Sequence, residues 1–328
     1  MNSQRRRLVQ TLGATLLAGG GFGSATARTQ ELTKIIVGFP GGSAIDAAAR
    51  RVAEKLTPDY ARVVIVENRV GAGGQLAVTA MKSLPADGSA LLITPMSILG
   101  VYPHTYRKLP YDPIADLTPV SQGVIFDYGF AVGTAVPEVV KTVPEFMSWC
   151  KANPAGASIG SPATGSTLHF TGIMLGRAAG VDITHVGYRG SQAAAQDLIG
   201  GQLPALVCPL GELIRHIPGG KVRVLATSGA NRSRFTPNVP TLVEQGFRDF
   251  AFSEWFAFYL PAKAPDEVVQ NLNKAIRLAL NAPGVAEGLA PFGLECVPSS
   301  PDSLVRVLKA DTERWGPIVK TVGFTAEN

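Results

Sequence analysis

The chain has 328 residues, which is longer than a single domain of ordinary size, so we expect two domains. Hydrophobic residues make up 46% and charged residues 17%, a globular composition that excludes an intrinsically disordered chain. The 30 basic side chains form no long stripe interleaved with aromatic residues, which argues against nucleic-acid binding.

The first residues have the three parts of an export signal. Arg5–Arg7 form a charged region, the apolar run Leu8–Leu17 follows, and small residues lead to an Ala-x-Ala-like cleavage site at Ala25–Ala27. The paired arginines also resemble a twin-arginine signal, with an arginine-rich Sec signal as the alternative. We predict that residues 1–27 are an export signal that is removed. No later uninterrupted apolar stretch reaches 18 residues, so we expect no membrane span after it.

The remaining chain offers little evidence for a cofactor, a metal or a disulfide framework. It has 27 basic and 25 acidic side chains, a slight positive excess that is compatible with an anionic ligand. Cys150, Cys208 and Cys296 lack Cys-x-x-Cys spacing, so we expect buried thiols, with one disulfide pair as the alternative. No Walker loop, HExxH or GxSxG motif is present, and the histidines lack metal-ligand spacing. We therefore predict no cofactor and no metal.

The first part of the chain alternates short apolar strands with helices. The predicted strands are 33–39, 63–67 and 90–94, and the predicted helices run from 46 to 56 and from the Gly71–Gly74 turn to about 83. Glycine-rich turns join strand to helix, which predicts βαβ units and a largely parallel sheet.

A long strand predicted at 120–132 leads into a second block with the same alternation. Thr142 and Glu145 form a capping box that begins a helix through Lys151. Further strands are predicted at 157–160, 183–186, 206–207, 222–227 and 255–260, with helices at 167–179, 191–198, 265–280 and 301–319. A second capping box, Thr241 with Glu244, precedes the last strand.

These blocks predict an α/β fold of two lobes. Residues 28–126 and 255–328 are assigned to lobe 1, and residues 127–254 to lobe 2. The chain then crosses between the lobes twice, and two crossing strands would form a hinge.

Two loops begin helices at the carboxyl ends of predicted strands, one in each lobe. The first is Phe39–Ala44, whose glycines let the backbone approach a ligand at a helix start with unpaired N–H groups. The second is Gly160–Ser166, which adds hydroxyl groups in the same layout. Together they predict an anion in a cleft between the lobes, and Gly71–Gly74 is a third candidate for its wall. Packing alone is the alternative for each loop.

His169 and Asp46 have simpler interpretations than catalysis. His169 follows Ser166 closely, and a Ser–His pair would suggest an exported hydrolase. The sequence indicates no acidic residue to orient the imidazole, so we interpret His169 as bracing its loop. Asp46 lies in a first helical turn, where an acidic side chain stabilises the helix dipole.

Nine segments in a fixed order carry a resemblance to a known family. They are Ile35–Arg50, Val64–Gly74, Lys108–Ser121, Gly160–His169, Val181–Ser191, Leu198–Gln202, Gly220–Ser233, Pro237–Phe247 and Glu254–Pro265. Over essentially the whole chain after the signal, they resemble the tripartite tricarboxylate transporter substrate-binding family, also called Bug or TctC-like. The resemblance implies a periplasmic, Venus-flytrap type of binding protein that is not an enzyme. It further implies a monomer that delivers a small carboxylate to the integral membrane subunits of a transporter.

The resemblance also implies how the ligand is held, namely by main-chain amides and ordered water. The residues it places at the ligand are Gly41, Gly42, Ser43, Ala44, Asp46, Ser161, Thr164, Gly165, Ser166, His169, Tyr188 and Cys208. Phe39 of the first helix-start loop and Gly73 of the third complete the set of predicted ligand residues. Ala44 stands where the family often has Thr or Ser, and Cys208 aligns with a common Asp that can bind an amino group. The loss of that acid favours a plain mono- or dicarboxylate over an amino acid. A sensor that reports to a membrane kinase is the alternative function.

Overall fold

The computed structural model describes residues 30–326, so the predicted export signal lies outside the described residues. The strands are β1 (Gln30–Val37), β2 (Ala61–Asn68), β3 (Ala90–Pro95), β4 (Leu117–Val132), β5 (Ser158–Ser161), β6 (Thr184–Gly187), β7 (Ala205–Pro209), β8 (Arg223–Thr227), β9 (Ser253–Pro261) and β10 (Glu295–Cys296). The helices are α1 (Ala44–Leu56), α2 (Gln75–Met81), α3 (Met96–Gly100), α4 (Tyr102–Thr105), α5 (Val143–Ala152), α6 (Thr167–Ala178), α7 (Ser191–Gly200), α8 (Gly211–Ile214), α9 (Asp266–Leu280), α10 (Val285–Leu289) and α11 (Pro301–Val322). The mixed α/β class predicted from the sequence is confirmed.

The first half of the sheet is built around β1. This strand lies parallel to β2 on one side and to β3 on the other, and β9 adds antiparallel to β3. All six residues of β3 are buried, as expected for an apolar strand covered by helices on both faces. The amphipathic helices α1 and α9 pack against each other and cover this half.

The strand β4 joins the two halves of the sheet. From Leu117 to Asp127 it pairs with β9, and from Tyr128 to Val132 it pairs with β7 and β8. The second half continues from β7 through β5 to the edge strand β6, and these three strands are parallel. The chain thus passes between halves inside one sixteen-residue strand, and it returns at the start of β9, where Ser253 lies opposite Asp127.

The two capping boxes form, but only one begins a helix. Thr142 Oγ1 accepts the N–H of Glu145, whose carboxylate accepts the N–H of Thr142, and α5 follows. Thr241 and Glu244 make the same reciprocal bonds, yet the chain forms only a turn. Gly246, with φ at +97°, ends that turn in a left-handed conformation that a helix cannot continue.

The short helices α3 and α4 were not predicted. They are five and four residues long and follow β3 directly, so they show no helical periodicity to read. Pro265 is the residue before α9 and not its first helical residue, a difference of one position.

Two further features concern the whole described chain. Between residues 30 and 326, none of the helices combines the length and the apolar character needed to span a membrane. The three cysteines are free, with Cys150 and Cys208 buried and Cys296 partly exposed.

Candidate ligand site

A small cavity lies at the carboxyl ends of parallel strands from both halves of the sheet. Its wall is formed by residues at or just after the ends of β1, β3, β5, β6 and β7, together with Phe126 of β4 and Glu254 and Phe256 of β9. Ligands of open α/β sheets bind at this edge of the strands. The space available to water-sized molecules is about 50 Å³, so the two halves nearly meet around it.

Three of the longer helices begin at the cavity wall. Ala44 opens α1, Ser166 is the residue before α6, and Ser191 opens α7, and all three line the cavity. These helices have 13, 12 and 10 residues, long enough for each N-terminus to carry a partial positive charge. The backbone therefore makes the cavity favourable for negative charge.

The charged side chains of the wall are both acidic. Among the described residues that line the cavity, Glu212 and Glu254 are the charged ones, and no Lys, Arg or His accompanies them. Both are almost completely buried, at 2% and 1% exposure. Burial raises the pKa of each carboxyl group, against the opposing effect of its hydrogen bonds.

Glu212 reaches across the cavity from α8 to the start of α1. Its Oε1 accepts the N–H of Ala44 at 2.7 Å, and its Oε2 accepts a bond from Arg215 at 3.0 Å. Ala44 belongs to the first half of the sheet and Glu212 follows β7 of the second half. One buried carboxylate thus connects the two walls.

Glu254 makes a second connection between the two halves of the sheet. Its Oε1 accepts the N–H of Ser97 in α3 at 2.9 Å, and its Oε2 accepts the hydroxyls of Tyr128 at 3.1 Å and Thr167 at 2.5 Å. Ser97 lies beside β3 and Thr167 opens α6, so this carboxylate also bonds to both halves.

The first predicted loop is braced from behind by Asp46. Its Oδ2 accepts the N–H of Gly42 at 2.8 Å and a bond from Arg50, while Oδ1 accepts the amide of Asn68. These hydrogen bonds and the charge of Arg50 lower the pKa of Asp46 against the effect of burial. Asp46 therefore shapes the loop from outside the cavity lining.

The second predicted loop is braced by a pair of histidines. His169 Nδ1 accepts the N–H of Gly165 at 3.1 Å, and His185 Nε2 lies 2.8 Å from Ser161 Oγ. The imidazole centroids are 3.7 Å apart, and burial lowers the pKa of His169 to about 3 and that of His185 to about 4. Ser166 Oγ accepts the backbone N–H of His169 at 3.4 Å, so the hydrogen bond between these two residues does not involve the imidazole.

The predicted ligand residues divide into two groups. Those in the cavity wall are Phe39, Ser43, Ala44 and Ser166. Those outside the wall are Gly41, Gly42, Asp46, Gly73, Ser161, Thr164, Gly165, His169, Tyr188 and Cys208. One of the second group contacts the wall directly: the Gly73 carbonyl accepts the hydroxyl of the wall residue Tyr102 at 3.0 Å. Tyr188 instead bonds to Asp197 at 2.8 Å, and Cys208 is fully buried in β7.

Glu212 corrects one inference drawn from the sequence. The replacement of a common Asp by Cys208 suggested a site without an acid suited to an amino group. The structure places Glu212, four positions later, in the cavity wall, so the absence of an acid no longer argues against an amino acid. Its i,i+3 spacing to Arg215 is typical of a solvated ion pair, which conceals the buried position.

Glu254 was also not predicted, although it gave a visible signal. It stands before the apolar run Trp255–Pro261, and a carboxylate in a buried strand needs hydrogen-bond partners. Ser97 and Tyr102 gave no such signal because they lie on the short helices α3 and α4. Within residues 30–326 there is no cluster of three or more side chains that could hold a metal.

Comparison with known proteins connects this architecture to one family. The model of the family described as "Tripartite tricarboxylate transporter family receptor" matches residues 48–324. Protein BugT of Bordetella pertussis is 31% identical over 320 residues, which cover 97% of this chain and 98% of BugT.

Two solved structures from Rhodopseudomonas palustris share the fold. Rpa4515, solved with adipate, is 28% identical with a TM-score of 0.85, covering 90% of this chain and 98% of that one. MatC, solved with bound malate, is 26% identical with a TM-score of 0.80, covering 88% of this chain and 98% of that one. The predicted periplasmic-binding-protein fold is thus confirmed.

Proposed function

This chain belongs to the tripartite tricarboxylate transporter receptor family, and we propose its function from that membership. As a solute-binding protein of that type, it captures a small mono- or dicarboxylate in the cavity between the two halves of the sheet. It then presents the loaded form to the integral membrane subunits of a tripartite transporter outside the cytoplasm.

The observation that carries this proposal is the convergence of three helix starts on one cavity. The N-termini of α1, α6 and α7 form part of the cavity wall. Among the described residues, this wall contains no basic side chain. Backbone N–H groups and helix dipoles therefore supply the attraction for an anion, and an arginine clamp is not required. The adipate and malate of the related structures are ligands of this chemistry.

Binding favours the closed protein only if the ligand contacts both halves more strongly when they are together. The lining supports such contacts, because α1 belongs to the first half and α6 and α7 belong to the second. Its small size limits the ligand to few atoms unless the halves separate.

Isothermal titration calorimetry with adipate, L-malate and a panel of related mono- and dicarboxylates tests the proposal. We expect one ligand with a Kd near 1 μM, about −8 kcal/mol. Ala163 lines the cavity and is 5% exposed, so Ala163→Leu fills the space and weakens binding at least about tenfold. Ala193 lies exposed on α7, so Ala193→Leu leaves the affinity unchanged. Absence of heat with the whole panel would contradict the proposal.

A further inference from the structure

Glu212 is a carboxylate that already occupies a position suited to a ligand carboxylate. Ala44 is the first residue of α1, where the helix provides no acceptor for the backbone N–H. The preceding amides have partners within the loop: the N–H of Gly42 bonds to Asp46, and that of Ser43 bonds to the Pro40 carbonyl. The Ala44 N–H instead points across the cavity to Glu212 Oε1 at 2.7 Å.

The side chain that would ordinarily cap α1 does not do so. Ser43 is the N-cap residue, but its hydroxyl donates to the Pro40 carbonyl at 2.7 Å and makes no cap bond. The equivalent residue of α6, Ser166, accepts the N–H of His169 in the usual manner. A capping Ser43 would accept the N–H of Ile45 or Asp46 and not that of Ala44, so the Ala44 amide depends on an acceptor from outside its own helix, and Glu212 provides it.

The contact spans the cavity between parts of the fold that are distant in the chain. Ala44 and Glu212 are 168 positions apart, and both line the cavity. A second contact joins the same loop to the second half, since Gln192 Nε2 donates to the Gly41 carbonyl at 3.2 Å. That contact is exposed and uncharged, whereas the Glu212 bond is buried and charge-assisted, so Glu212 provides the stronger connection.

We propose that Glu212 acts as an internal substitute for the ligand carboxylate, holding the cavity closed in the free protein and leaving the Ala44 amide when a ligand carboxylate binds there. The displacement step rests on the proposed function, whereas closure of the free protein does not. Glu212 is then a specificity-determining residue, because a ligand must bind α1 more strongly than the protein's own side chain does. Released Glu212 keeps its partner Arg215, which is itself partly exposed and lets the pair turn towards solvent.

The closure is tested without any ligand. Hydrogen exchange of the segment 39–50 and the radius of gyration from solution scattering are compared in the wild type, Glu212→Gln and Glu212→Ala. We expect Glu212→Ala to accelerate exchange in that segment at least about tenfold and to increase the radius of gyration, with Glu212→Gln intermediate. Glu138 is exposed in the second half, so Glu138→Gln serves as the matched control and changes neither quantity. Unchanged exchange and size in a folded Glu212→Ala protein would overturn the proposal.

The displacement is tested by calorimetry with adipate and L-malate. A neutral amide is a weaker acceptor than a carboxylate, so we expect Glu212→Gln to bind whichever probe the wild type binds about tenfold more tightly. A weaker affinity would instead make Glu212 a group that contacts the ligand, and an unchanged affinity would remove it from the binding equilibrium. Either result overturns the displacement. If neither protein binds a probe, the proposed function fails, and the exchange experiment alone decides whether Glu212 closes the cavity.

Discussion

The two helix-start loops share one layout in the sequence but differ in what their polar groups contact. In the loop before α1, the Ala44 amide faces the cavity and meets a carboxylate from the opposite half of the sheet. In the loop before α6, Gly165 bonds to His169, and Ser161 bonds to His185 and to the Ala163 carbonyl. The first loop therefore has an amide directed at the cavity, whereas the second is stabilised mainly from behind.

A glycine-rich turn at a helix start is therefore not by itself a binding group. Its role depends on which residues approach the turn from elsewhere in the fold. In the α1 loop, the Ala44 amide is bonded by Glu212 of the opposite half. The α6 loop is held in place by the two histidines and by Glu254.

Removal of the Glu254 carboxylate breaks the support of the α6 start. Glu254→Ala leaves the donors of Ser97, Tyr128 and Thr167 without their acceptor in a buried place. We expect the free energy of unfolding to fall by about 3–5 kcal/mol in urea titrations. Glu254→Gln keeps the shape of the side chain, so we expect a smaller fall in the free energy of unfolding. If Glu254→Ala lowered the free energy of unfolding by less than about 1 kcal/mol, these donors would have other hydrogen-bond partners.

The histidine brace makes stability depend on pH. Burial depresses the pKa of His169 to about 3 from its ordinary 6.5, so the unfolded chain binds the proton more readily. The contribution of neutral His169 to stability is present above pH 6.5 and is lost as the pH falls towards 3.

We expect His169 to account for a loss of about 2 kcal/mol between pH 6.5 and pH 5, at about 1.4 kcal/mol per pH unit. His169→Asn keeps a neutral hydrogen-bond acceptor near the position of Nδ1 and removes the contribution of His169 to the pH dependence of stability. The contribution of His185 remains in this variant. Urea titrations at about pH 7.5, 6.5, 5.75 and 5 measure the slope of the free energy of unfolding against pH. Equal slopes in the variant and the wild type would contradict the assignment.

The smallest effect is expected at the exposed contact of the α1 loop. Gln192→Ala removes the 3.2 Å bond to the Gly41 carbonyl, but because this contact is exposed, no buried polar group loses its partner. We expect the free energy of unfolding to change by less than about 0.5 kcal/mol, and hydrogen exchange in the segment 39–50 to stay at its wild-type rate. Exchange as fast as in Glu212→Ala would assign the closure to Gln192 instead.

Local signals in the sequence predicted much of the fold because their physical causes are local. The strand 90–94 is observed as β3, and the helix predicted at 167–179 is observed as α6. Thr142 caps α5 because its partner Glu145 is three residues away. The same signal at Thr241 formed its bonds without a helix, since Gly246 ended the turn.

The candidate site was less accessible to prediction. Phe39, Ser43, Ala44 and Ser166 were predicted and line the cavity, because they follow strands directly and helix starts are visible in the sequence. Glu212 and Glu254 were not predicted, since each acts through partners more than 80 positions away. A single charged residue in a sequence is usually exposed, so nothing indicated that Glu212 is buried, and the apolar run after Glu254 was the one indication that Glu254 is.

The α/β class, the two helix-start loops at the carboxyl ends of strands, and the resemblance to a family of binding proteins could all be predicted from the sequence. These follow from spacing and residue type along the chain, which set backbone geometry and the position of N–H groups. Which side chains face those groups depends on how distant parts of the chain pack together. The burial of Glu212 at the start of α1 arises where two halves of a sheet meet, and no pattern of neighbouring residues specifies that meeting.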